Sequence, residues 1–218
     1  NKSNMKSIIA ELPVSEKSTF VIQKYVAQPL LYLSEKKFHF RCYSMLQADM
    51  SGWMYDMCYI LSAGFAYNSV SDMDDRKLIT NLSVNKHIQG HPGQVPCNLM
   101  EAYPAIYSKI CTMWSEVCQA CTPFMSIQTS PHHFEFFGID IIADVHGNAW
   151  LLEVNRLPGL ESSTTNKTAE DEMYDTMMRT LLKIVMQPLL QPDMQSSVEE
   201  GIVNEQVDMW RRVYAGSA

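Results

Sequence analysis

Two short apolar runs in the second half of the chain carry oxygen ligands where a strand core wants hydrocarbon. The first is Phe136-Phe137-Gly138-Ile139-Asp140-Ile141-Ile142-Ala143-Asp144 and the second Trp150-Leu151-Leu152-Glu153-Val154-Asn155, with a His146-Gly147-Asn148 turn between them. Apolar runs bounded by turn residues predict the two buried strands of a hairpin. An ionised carboxylate in low dielectric is costly unless it meets a cation. Glu153 and Asn155 are two residues apart, so on a strand they share a face. With Asp140 they make an all-oxygen donor set of the kind that holds Mg²⁺. Held by so few carboxylates, Mg²⁺ completes its octahedron with water and phosphate oxygens, so phosphoryl chemistry is expected. The competing reading of a lone acid in an apolar strand is an edge residue, or one satisfied by a nearby lysine or backbone amide.

A phosphoryl site also needs cations. Lys37-Phe38-His39-Phe40-Arg41-Cys42-Tyr43 alternates polar and apolar, which predicts a strand with Lys37, His39, Arg41 and Tyr43 on one face. Arg offers a planar fork suited to phosphate oxygens, while Lys supplies a point charge. The alternative is a solvated basic face that pairs with the acidic loop around residues 72–75.

The elements that must position these groups follow from periodicity. Met5, Ile8, Ile9 and Leu12 predict the end of a helix stopped by Pro13, and residues 20–26 a strand closed by Pro29. After a turn at Met50-Ser51-Gly52, residues 53–61 are expected as one strand pairing back on 37–43. Residues 64–75 look like loop, and 78–82 like a short strand. Leu99, Tyr103, Ile106, Ile110, Met113, Val117 and Cys121 step by three and four, predicting a helix whose first turn tolerates Pro104. A second helix is expected over 169–186, with Met173, Met177, Thr180, Leu181, Ile184 and Val185 inward. Residues 198–214 are expected as a loosely packed amphipathic helix ending in the solvated pair Arg211-Arg212.

With 218 residues, 46% of them hydrophobic, the chain can bury a substantial core. No apolar stretch reaches membrane-spanning length, and residues 1–6 are polar with no signal-like apolar segment after them. The scattered Cys42, Cys58, Cys97, Cys111, Cys118 and Cys121 do not demand a disulfide framework, so a reducing cytoplasmic setting is expected. Cys118-Gln119-Ala120-Cys121 lies at a helix end without a second pair and reads as structural. His132-His133 reads as an exposed loop pair, and the 15 methionines as core fillers. Net charge is −7, yet residues 1–41 hold seven Lys/Arg against three Asp/Glu. An acidic chain of this kind is a poor nucleic-acid binder, and neither nucleic acid nor membrane is expected as a partner.

Taken in order, several motifs together resemble the tubulin-tyrosine-ligase-like family of the ATP-grasp superfamily of carboxylate-amine ligases. They are Gln23-Lys24-Tyr25-Val26 with Pro29-Leu30-Leu31, Lys37-Phe38-His39-Phe40-Arg41, Leu78-Ile79-Thr80-Asn81 with Lys86, Phe137-Gly138-Ile139-Asp140, and Trp150-Leu151-Leu152-Glu153-Val154-Asn155 with Pro158. The likeness spans about residues 18–190. It implies an α+β, ATP-grasp-like C-terminal lobe with a mainly antiparallel sheet flanked by helices. Residues 1–26 would be the remnant of the central subdomain with its hinge strand, 27–190 the C-terminal subdomain, and 191–218 a helical tail. The upstream lobe, which supplies a glycine-rich loop and another lysine, would lie largely outside this chain.

The resemblance also implies roles. Gln23, Lys24, Tyr25 and Val26 would flank the adenine edge of ATP, and Ile142 would line its pocket. Lys37 and His39 would lie by the nucleotide. Arg41 and Lys37 would act on the phosphoryl group or the acyl phosphate, with Arg41, Thr80 and Asn81 on the substrate side. Asp140, Glu153 and Asn155 would hold Mg²⁺. The reaction implied is ATP-dependent ligation of a free amino acid to a protein carboxylate, on a tubulin tail or another acidic protein, in the cytoplasm or on the cytoskeleton. Two positions depart from the family pattern. His39 stands where most members carry Asp, although a fungal and protist branch also has Lys-Phe-His. Tyr67 stands where tyrosine- and glutamate-adding members place an Arg that grips the incoming carboxylate. The rival expectation is a catalytically silent member that serves as a tubulin- or protein-binding module.

Overall fold

The computed structural model of the chain describes residues 21–69, 71, 72, 74–125, 133–162, 167–190 and 206–216. Its organising element is the strand β2 (Lys36–Gln47), twelve residues that alternate between two buried faces. Phe38, Phe40 and Cys42 go to one side and His39, Tyr43 and Met45 to the other, as the pleat requires. Strand β1 (Leu31–Tyr32) and the long β6 (Phe134–Ala143) pair with one edge of β2. The other edge takes two partners in succession: β3 (Gly52–Tyr55) opposite Ser44–Leu46, and β4 (Tyr59–Ala66) opposite 36–41. Beyond β4 lies β5 (Gln94–Pro96), and beyond β6 lies β7 (Ala149–Arg156). Strands β8 (Gln206–Val207) and β9 (Trp210–Tyr214) extend the sheet past β3. Every ladder is antiparallel, and the α+β class with a mainly antiparallel sheet is the one expected from the sequence.

Helix α3 (Tyr103–Cys121) covers one face of the sheet. Pro104 falls in its first turn, where a missing N–H costs nothing. Its buried stripe is Tyr103, Ile106, Tyr107, Ile110, Cys111, Trp114 and Cys118. This differs from the expected set: Leu99 lies outside the helix and is exposed, Cys121 is exposed, and the stripe advances through Trp114 where 113 and 117 had been expected. A 3.6-residue repeat drifts relative to strict three-four stepping, and the bulk of Trp114 decides the register. Helix α4 (Lys167–Leu190) packs Tyr174, Met177, Leu181, Ile184 and Val185 onto the opposite face, over Tyr43, Met45, Tyr55 and Trp210. Full burial of one such side chain contributes roughly 1.5–3 kcal/mol. Of β2, Tyr43 and Met45 join the apolar cluster under α4, together with Tyr59 and Leu61 of the neighbouring β4.

Several expectations need correction. The single strand over 53–61 is two strands, interrupted at Asp56–Cys58, because β2 is long enough to pair with both halves. Residues 64–66 continue β4 and are not loop. In place of a strand over 78–82 there are two single-turn helices, α1 (Asp75–Leu78), capped by Asp74, and α2 (Leu82–Asn85). The Asn85 amide donates to the carbonyls of Ile79 and Asn81, so side-chain bonds replace a ladder there. Residues 21–26 are not strand: among the described residues near them, main-chain bonds begin only at Gln28 and Leu30. The C-terminal segment is a hairpin over 206–214 where a helix was expected. Arg212 is buried with its guanidinium over the Trp53 ring, so the Arg211-Arg212 pair is no solvated helix end. Residues 1–20 and His132 lie outside the described residues. No helix among the described residues is long and apolar enough to cross a membrane.

Candidate nucleotide and metal site

Register alone assembles the site. Arg41 stands opposite Asp140, Asp140 opposite Glu153, and Gly138 opposite Asn155. Directly paired residues point to the same face, so Lys37, His39 and Arg41 of β2 meet Asp140 of β6 and Glu153 and Asn155 of β7. A glycine at 138 makes room for Pro158: a Cβ there would come within 2.7 Å of the Pro158 Cβ.

Asp140 is 3% exposed and is neutralised by a two-pronged ion pair, Arg41 Nε donating to Oδ1 at 2.5 Å and Nη2 to Oδ2 at 2.9 Å. A buried carboxylate without such a partner would be prohibitively costly. Burial works against the Arg41 charge, but the bonds and field of Asp140 prevail and hold its pKa above the ordinary arginine value. His39 is also buried. Its Nδ1 lies 2.6 Å from the Thr80 hydroxyl, and its Nε2 faces Asp140 Oδ1 at 3.7 Å, too far for a hydrogen bond. Burial, with Arg41 and Lys37 nearby, pushes the imidazole pKa down to about 3, so the ring is neutral. The tautomer follows from its surroundings: a lone pair aimed at a carboxylate would be repelled, so Nε2 carries the proton and Nδ1 accepts from Thr80. That Nε2–H is buried without a partner. Lys37 donates to the Leu78 carbonyl at 2.9 Å and the Tyr25 hydroxyl at 3.0 Å, and its ammonium sits 4.5 Å from the centre of the Tyr25 ring. Burial lowers its pKa.

Glu153 is exposed and accepts from the Asn155 amide at 3.0 Å. The second strand of the hairpin is therefore an outer strand, more open than expected, because nothing pairs with β7 beyond β6 among the described residues. Two carboxylates and an amide oxygen, the hard donors that Mg²⁺ takes, lie on one face, with both Asp140 oxygens engaged by Arg41 and Glu153 open to solvent. No group of three or more His, Cys, Asp or Glu side chains is placed to hold a metal ion among the described residues. A cation at such an open set keeps positions for water and phosphate oxygens.

Beside this face lies a cavity of about 640 Å³ lined by residues 23–28 on one side and by Asp144, Val145, His146, Trp150, Leu151 and Leu152 on the other. Gln23, Lys24, Tyr25 and Val26 all contribute to that lining. The β6–β7 ladder skips Leu152, and the bulge turns its carbonyl toward Gln23 Nε2 at 2.9 Å. Ile142 stands behind the lining and not in it: it is buried and pairs with Trp150 across the hairpin. Thr80 is likewise buried, underneath His39, while Asn81 is exposed at the start of α2. The acidic loop does not answer the basic face, since Asp72 pairs with Lys77 and Asp74 with Arg76. Sequence reasoning missed Trp150 and Asp144 as parts of the cavity wall. An Asp two residues before His146 in a Gly-Asn turn is a side-chain turn signal that could have pointed to them.

The profile of the tubulin-tyrosine ligase family matches residues 2–194. The chain belongs to the tubulin-tyrosine ligase family. Among its relatives are a probable tubulin–tyrosine ligase of Saccharomyces cerevisiae, 27% identical over 74% of this chain and 24% of that protein, and one of Schizosaccharomyces pombe, 27% identical over 72% and 40%. Tubulin glycylase 3D of Tetrahymena thermophila is 26% identical over 71% of this chain and 17% of its own length. The chain thus spans less than half of each of these family members. By their names they are tubulin-modifying ligases that differ in the residue they add, and the matched region contains the whole face described above. The Tyr67 hydroxyl donates to the Ala27 carbonyl at 3.2 Å, at the edge of the cavity.

Proposed function

We propose that the chain is the nucleotide-binding lobe of a ligase that joins a free amino acid to a protein carboxylate, using ATP and Mg²⁺, on a tubulin tail or another acidic protein. One observation carries this reading: Lys37, His39, Arg41, Asp140, Glu153 and Asn155 share one face of the sheet next to the cavity of about 640 Å³ that residues 23–28 help to line. An acceptor carboxylate oxygen attacks the γ-phosphorus as ADP departs, and the amine nitrogen then displaces inorganic phosphate from the acyl phosphate and loses its proton. Little covalent work falls to the protein, which positions groups and neutralises charge. Asp140, Glu153 and Asn155 would hold Mg²⁺, which would supply charge neutralisation at phosphate oxygens. The Arg41 fork is held by Asp140; on binding the cation Asp140 would exchange that partner and leave the fork for phosphate oxygens, while Lys37 is oriented by Leu78 and Tyr25 and the His39 Nε2–H is a neutral donor on the same face. A cytoplasmic, cytoskeleton-associated setting goes with this substrate class.

Tyr67 favours a second reading, a silent family member that binds tubulin or another protein, because a phenol cannot hold an incoming carboxylate as a guanidinium does. Calorimetric titration with a non-hydrolysable ATP analogue, with and without Mg²⁺, separates the two. Binding that strengthens with Mg²⁺ and loses that dependence in Glu153→Gln is the expected result. Glu153 is exposed, so the variant keeps its fold. Mg²⁺-independent binding that Glu153→Gln leaves unchanged would remove Glu153 from the site, and no binding would leave the silent module.

A further inference from the structure

A half-exposed indole is normally free to turn, yet Trp150 is tied down by a carboxylate. The ring is 50% exposed on the wall of the cavity, and its Nε1–H donates to Asp144 Oδ2 at 3.0 Å. Asp144 is itself buried and engaged on every side. Its Oδ2 also accepts from the Asn148 amide at 3.0 Å, and its Oδ1 accepts from the backbone N–H groups of His146 and Asn148, each at 2.9 Å. The backbone continues the clamp: Asp144 bridges to Pro29, Val145 N–H donates to Gln28, and Leu30 N–H donates to Ala143. One carboxylate therefore ties together the hairpin tip, the indole, and the anchorage of the segment that forms the opposite wall. Burial alone would raise its pKa, but these four bonds overcome that and bring it to about 2, so the acceptor stays charged at any physiological pH.

We propose that Asp144 is a positioning residue that fixes the plane of Trp150 as a preformed stacking wall for the base of the nucleotide. The inference rests on the nucleotide reading above and adds to it the group that orients the wall. A stacking surface held before the ligand arrives loses no rotamer freedom on binding, and the open side of the ring is left for the base. Gln23 to Gln28 form the facing wall.

The test exploits an asymmetry in Asp144→Asn. The new carbonyl oxygen can still accept from His146 and Asn148 N–H, so the turn keeps its cap. Its amide, however, presents a donor to the Trp150 Nε1–H, which has nothing to accept with. The Asn148 side chain can flip to answer an amide, whereas the indole cannot. Adenosine is the ligand to use, since it carries no phosphate and reports on the base wall apart from any metal. The other three tryptophans, Trp53, Trp114 and Trp210, are at most 4% exposed, so acrylamide quenching of the chain's fluorescence reads Trp150. The expected results are stronger quenching and about tenfold weaker adenosine binding in Asp144→Asn. In a Trp150→Phe background, where no indole needs orienting, the same substitution should change calorimetric affinity less than twofold. An equal loss in both backgrounds would assign Asp144 to hairpin stability and overturn the positioning role, as would unchanged adenosine affinity in Asp144→Asn. Failure of the wild-type chain to bind adenosine would overturn the nucleotide reading itself, and the role with it.

Discussion

Acidification should destabilise the chain through one imidazole. His39 is 2% exposed, and its folded-state pKa of about 3 lies below the unfolded value of 6.5. Between those values the unfolded chain binds a proton that the folded chain refuses, so stability rises with pH across the window and falls as pH drops below 6.5. Integrating the two titrations from pH 7.5 to pH 5 gives about 2 kcal/mol, at 1.36 kcal/mol per unit. The carboxylate facing the ring does not rescue the protonated form, because Arg41 already occupies both Asp140 oxygens. The comparison that isolates the effect is urea unfolding of wild type and His39→Gln at pH 5.0, 6.0 and 7.5. Every other titrating group is common to both proteins. The wild-type midpoint should fall by about 1 M more than that of the variant between the highest and lowest pH, for a urea dependence of roughly 2 kcal/mol per molar. Parallel pH profiles would refute the assignment of His39 as a ring kept neutral by burial and neighbouring cations.

Removing one partner of the buried ion pair should cost more than removing both. Arg41→Ala is expected to lose about 3–5 kcal/mol in urea unfolding, with the Arg41→Ala/Asp140→Ala double variant recovering part of it; additive losses would show that the two charges are not coupled. Gly138→Ala should destabilise by about 1–3 kcal/mol, because its methyl group would collide with the Pro158 ring. Thermal denaturation checks this, and an unaltered midpoint would mean that the loop carrying Pro158 yields freely.

Alternation made β2 and the β6–β7 hairpin legible in the sequence, since a period of two assigns faces wherever one side is buried. The same rule put Lys37, His39 and Arg41 on one face of their strand and Glu153 with Asn155 on one face of theirs, while the ladders β2–β6 and β6–β7 bring the two sets together. What escaped depends on contacts distant in sequence. The segment 210–214 is a strand because β3, some 155 residues earlier, offers it an edge, and nothing local to Trp210 and Tyr214 says so. Residues 79–81 are extended without a ladder because Asn85 satisfies them. The bulge at Leu152 and the tie between Asp144 and Trp150 leave no periodic trace, for each involves a single residue out of step. The drift of the α3 stripe toward Trp114 was missed for the opposite reason: the pattern was regular, and side-chain bulk chose between two near-equal registers.

The strict alternation of β2 has a consequence for how the chain folds. A slip of one residue against β4 or β6 would turn Phe38, Phe40 and Cys42 onto the face that holds Asp140 and drive Lys37, His39 and Arg41 into the hydrocarbon layer under α3. Such a pairing places two obligate cations in the core with no acid to meet them, so misaligned sheets are eliminated while they are still forming. The groups that equip this face for chemistry thereby act as proofreaders of strand register.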